Sequence, residues 1–134
     1  MPRVSVWMVR AALIHLVIGA TIGAWLLAAK GGAVGTADWL LPLHAPMVLV
    51  GWMVQVTIGV GYWILPRFAT GAERGSTRSP WIIALLLNLG VVITAAGHWL
   101  SPAVTALGIA AAGLGVVVFV ATVGPRVKAF GTGR

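Results

Sequence analysis

The chain has 134 residues, 60% of them hydrophobic and 8% charged, with a mean hydropathy of +1.02. A soluble domain of this length carries more charge, so the composition excludes an ordinary water-soluble enzyme and points to one polytopic membrane domain spanning residues 1–134. There is no cysteine, which excludes disulfides, thiolate-bound metals and thiol nucleophiles. The formal net charge is +7, but the basic residues lie between and beyond the apolar spans, which argues against a nucleic-acid surface.

Four segments reach the roughly 20 apolar residues needed to cross a bilayer as a helix, so the expected fold is all-α, an integral membrane four-helix bundle. The first span runs from about Val6 to Ala29. It has no clear small-residue cleavage site and reads as a retained helix rather than a signal peptide. It carries His15, and Gly19 and Gly23 in GATIG, a small-xxx-small pattern that lets helices approach closely.

The second span, from about Leu40 to Leu65, carries the most chemistry. His44 lies a few residues inside it. At 100° per residue, Gly51, Gln55 and Tyr62 fall within about 20° of His44 in projection. Lipid does not reward an imidazole, an amide and a phenol on one stripe, so that face should meet protein, a cofactor or water. The loop after it, PRFATGAERGSTRS, holds Arg67, Arg74 and Arg78.

The third span, from about Trp81 to Leu100, ends at His98-Trp99, with Leu87, Val91 and Thr94 on the His98 face. A turn at Ser101-Pro102 is so short that the fourth span, from about Pro102 to Val123, must return as an antiparallel hairpin. Arg126, Lys128 and Arg134 follow. The positive-inside rule then places both termini and the middle loop in the cytoplasm, with only Lys30 and Asp38 opposite. The expected location is a prokaryotic-type inner membrane, crossed several times.

This topology puts His44 and His98 at similar depth near the outer surface. His15 lies some 20 Å below the Lys30 end at about 1.5 Å per residue, apart from the other two. Neutral imidazole ligates haem iron, copper and zinc. Asp38 and Glu73 are the only acids, both in loops, which argues against a carboxylate-lined pump, a di-iron carboxylate site or an acid/base hydrolase. Plainer readings stand beside these. His44, between Pro42 and Pro46, also suits an interfacial helix start. His98 beside Trp99 suits a surface marker, and His15 a hydrogen bond to a neighbouring helix. Gln55 and Asn88 suit interhelical hydrogen bonds, and Tyr62 and Trp63 suit interfacial aromatics.

The succession His44, Gly51-Trp52, Gly59, Tyr62, Pro66-Arg67 resembles a histidine-bearing helix of the haem–copper oxidase superfamily, closest to nitric oxide reductase-like subunit I. The resemblance covers about 25 residues. That family's catalytic subunit has twelve helices in three arcs of four, with a histidine ligand on the second helix of an arc and copper-binding histidines at the end of a third helix. The chain is similar to one arc, and a homotrimer would rebuild the whole. The family's paired histidines have no counterpart here, so the resemblance implies haem b on His44, with His98 or a histidine of a neighbouring copy as second ligand. Copper on His98 or His15 is a further option. Gly51, Gln55 and Tyr62 would shape the pocket.

The leading expectation is therefore a membrane haem b protein for electron transfer or for handling nitric oxide or oxygen, with a redox partner. The alternative is a cofactor-free membrane scaffold or assembly subunit. A small transporter is a third class, but no substrate-binding charge lies inside the spans.

Overall fold

A computed structural model describes residues 1–65 and 78–127, apart from the side chain of Arg126. Its regular structure is helical throughout the described residues. Four helices are long and apolar enough to cross a membrane: α1 (Arg3–Lys30), α2 (Asp38–Ile64), α3 (Arg78–Leu100) and α4 (Pro102–Val123). The fourth matches the span expected from hydropathy. The first two begin two or three residues earlier than expected, and the third is already helical at Arg78, the first described residue ahead of Trp81, because hydropathy falls at the first polar residues while helical hydrogen bonding continues into the headgroup layer. The loop from Pro66 to Thr77, with Arg67, Glu73 and Arg74, lies outside the described residues, as do Lys128 and Arg134.

Local chemistry sets the helix ends. α1 closes with Gly32 N–H donating to Ala29 O (3.1 Å) and Ala33 N–H to Ala28 O (2.9 Å), the paired bonds of a Schellman stop. Gly32 takes φ +74, which a side chain would oppose. α4 starts with Ser101 Oγ accepting from Val104 N–H at 3.3 Å, and Pro102 occupies its first turn, where a missing N–H costs nothing.

In lipid there is no hydrophobic drive between helices, so association depends on close packing and interhelical hydrogen bonds. The α3/α4 hairpin uses the first. Gly97 faces Thr105, Thr94 faces Gly108, Gly90 faces Ala112 and Leu87 faces Gly115. These pairs lie four, seven, eleven and fourteen residues either side of Ser101, the heptad spacing of an antiparallel coiled-coil seam. Small residues on one side of each pair bring the backbones together. Hydroxyls facing lipid are satisfied within their own helices: Thr21 donates to Val17 O (2.8 Å) and Thr57 to Met53 O (2.7 Å), as a solvent without hydrogen-bonding capacity requires.

The four helices meet at the N-terminal end. Val4 and Met8 of α1, Ile58 and Tyr62 of α2, Ile83, Ala84 and Leu87 of α3, and Val123 of α4 form one buried cluster. An apolar cleft of about 390 Å³ lies between α2 (Pro46, Leu49, Val50), α3 (Gly90, Val91, Thr94) and α4 (Ile109, Gly113).

Candidate functional site

The α1/α2 seam holds two of the three histidines. α2 begins with a 3₁₀ turn (Asp38–Leu40) and an α-helical stretch (Leu41–Pro46). It then continues as π-helix through Met47–Val54, and returns to α-helix at Gln55–Ile64. Pro46 explains where the change starts. Its ring crowds the carbonyl four residues back and it offers no N–H, and a wider turn relieves both. At the far end of the segment, Gln55 N–H reaches back five residues to Val50 O. Such π segments are rare in helices and frequent at functional sites.

Each helix presents a histidine to a glycine of the other. His44 Nδ1 lies 2.8 Å from Gly19 O, and His15 Nδ1 lies 3.2 Å from Gly51 O. A carbonyl only accepts, so each Nδ1 carries a proton, and in a neutral ring of this tautomer Nε2 is a lone pair. The glycines are the seats for these rings. A Cβ on Gly23 would lie 2.7 Å from His44 Cε1, and one on Gly51 would lie 2.6 Å from His15 Cγ. His15 is buried at 8% exposure, whereas His44 is half-buried.

The stripe expected on α2 exists, and α1 is what it faces. Gln55 is fully buried and its Nε2 donates to Met8 O at 3.2 Å. Gly51 takes the His15 ring. Tyr62 is buried at 4% exposure in the cluster with Val4 and Met8. Gln55 Oε1 and Ser5 Oγ are buried without a hydrogen-bond partner among the described residues.

His15 makes the hydrogen bond to a neighbouring helix that the sequence allows, deeper along the seam than His44, which bonds one turn on at Gly19. One placement differs from the sequence reading: the Asn88 Nδ2 donates to Ala84 O of its own helix at 2.7 Å. His98 shares a helix face with Val91 and Thr94, which line the cleft, and is exposed at the end of α3, packing edge-on against Trp99 with centroids 5.8 Å apart. The seam also uses residues that the sequence did not single out as site residues: Met8 supplies an acceptor, Gly19 an acceptor and a close approach to Val48, and Gly23 a seat. The one available signal was the spacing His15, Gly19, Gly23, four residues apart on one face of α1.

Among the described residues no three histidines or acids come together as a metal-binding group. Comparison with known protein families, curated proteins and solved structures finds no match to this chain.

Proposed function

We propose that this chain is a membrane b-type haem-binding protein that transfers electrons or handles a diatomic gas, nitric oxide or oxygen, with His44 as an axial ligand. The observation that carries the reading is the 2.8 Å bond from His44 Nδ1–H to Gly19 O. Metal-binding histidines characteristically donate their other ring N–H to a carbonyl or carboxylate, which fixes the tautomer and raises ligand basicity. His44 meets that requirement while remaining half-buried, so its Nε2 fits an iron ligand. His15 has the same tautomer, but its ring is enclosed against Gly51 and serves as a structural donor. Bound haem b supplies a one-electron iron centre that can also take a diatomic gas.

The second axial ligand in this reading is His98 or a histidine of a neighbouring copy; His98 is the histidine not tied to a backbone carbonyl across a seam. Copper would need ligands from more than one copy, since a single chain assembles no three-ligand group among the described residues. A homotrimer, with three arcs around one axis, is the assembly that suits a four-helix arc, and both termini in the cytoplasm suit its arginine distribution. Haem titrated into purified protein should bind at about one per chain and far more weakly to His44→Ala. Crosslinking of the same preparation should stop at trimers, and only monomers or dimers would overturn the assembly.

A cofactor-free scaffold is favoured by one specific observation: His15 fills the gap at Gly51, and Gln55 is engaged with Met8. Two residues expected to shape a haem pocket are thus occupied by α1. Failure of haem to bind the wild-type protein would select this second reading.

A further inference from the structure

Arg3, Trp7 and Arg10 follow at i, i+4 and i+7, the spacing that puts side chains on one helix face. On α1 they line a cavity of about 330 Å³ together with Met1, Val6 and, from α3, Trp81. Trp7 and Trp81 meet there, ring centroids 6.1 Å apart and planes inclined at 57°. Both indoles stay about half exposed, at 46% and 47%. Neither guanidinium has an acid beside it among the described residues: Asp38, the one acid there, begins α2 at the opposite end of the bundle.

The depth of this cavity narrows what it can hold. α1 has 28 residues, so it is about 42 Å long and exceeds the roughly 30 Å hydrocarbon core. Its N-terminal turns therefore enter the headgroup layer, where tryptophan rings settle. Arg10 lies about 10 Å further in than Arg3 along the axis, at a level where an uncompensated guanidinium is costly unless it extends to the interface. Two such cations in one concavity attract an anion, and guanidinium forks match phosphate oxygens two at a time. At this depth the abundant phosphate is that of the lipids, and basic pockets between transmembrane helices bind acidic headgroups. The indole N–H groups add donors, and the ring bodies face the first carbons of the acyl chains.

We propose that the cavity between the start of α1 and the start of α3 binds the phosphodiester headgroup of an anionic phospholipid, held by Arg3 and Arg10 and flanked by Trp7 and Trp81. A lipid bound there bridges α1 to α3 and fixes the angle between the two helix pairs. The site is independent of any haem and of which leaflet the N-terminus faces.

Native mass spectrometry of the full-length protein, with phosphatidylglycerol or phosphatidylcholine of identical chains added to the micelles, tests this. Phosphatidylglycerol should be retained selectively, and Arg3→Gln/Arg10→Gln should weaken its retention on the order of 10- to 30-fold. Lys30→Gln, at the opposite end of α1, should leave it unaltered. Arg3→Lys/Arg10→Lys, which keeps charge and topology, should fall between, so the result does not depend on the glutamine variant inserting well. Equal retention of the two lipids, or retention indifferent to both arginine variants, would overturn the proposal. Displacement of phosphatidylglycerol by millimolar inorganic phosphate would overturn the lipid assignment in favour of a free anion.

Discussion

An ideal Cβ on Gly51 would lie 2.6 Å from His15 Cγ and 2.9 Å from its Cβ, so alanine there forces the imidazole off the Gly51 carbonyl. Gly51→Ala should cost about 1–3 kcal/mol, the usual range for overpacking a fitted site, read as a lower melting temperature in detergent. His15→Ala should recover part of that loss in the double variant, and strictly additive effects would contradict the contact. Gln55 tests the opposite case. Its bond to Met8 O contributes about 0.6 kcal/mol if it is average for transmembrane hydrogen bonds, while its Oε1 is buried without a partner among the described residues. Gln55→Leu removes both and should stay within about 1 kcal/mol of wild type. A loss above about 3 kcal/mol would mean that the amide holds a polar network together. At this scale the sequence was informative about which residues are polar inside a span. It was silent on their partners, because a carbonyl acceptor such as Gly19 O leaves no mark in residue type.

Among the helices, hydropathy made the four spans legible, and α4 was read to its ends. The π segment of α2 was not legible, because Met47–Val54 is uniformly apolar and nothing in its composition separates a five-residue from a four-residue bonding pattern; only Pro46 marks where the pattern breaks. The stripe from His44 to Tyr62 survived that change because both glycine and glutamine still face α1. The hairpin was legible from Ser101-Pro102, and its seam can be tested by comparing two glycines of α4. A Cβ on Gly108 would collide with the backbone N and hydroxyl of Thr94, whereas one on Gly113 meets nothing within 4 Å. Gly108→Ala should therefore destabilise the protein by about 2 kcal/mol or more. Gly113→Ala should be neutral or stabilising by up to about 1 kcal/mol, since alanine favours the helix. Equal effects at both positions would place the α3/α4 contact elsewhere.

For the whole molecule, one buried cluster near the arginine-bearing end draws on all four helices, and an apolar cleft lies between α2, α3 and α4. His44 packs against α1 at Gly19 and Gly23, while His15 and Gln55 tie α1 to α2 deeper in. The distinction between a haem ligand and a structural histidine lies in what occupies Nε2 of His44, and iron–imidazole coordination has an optical signature that a hydrogen bond lacks. The most direct measurement is the oxidised and dithionite-reduced absorption spectrum of the protein purified from its membrane, beside His44→Ala and His15→Ala. A Soret band and reduced α-band present in wild type, lost in His44→Ala and kept in His15→Ala is the result expected here. A colourless wild-type protein, or a spectrum unchanged by His44→Ala, would contradict it.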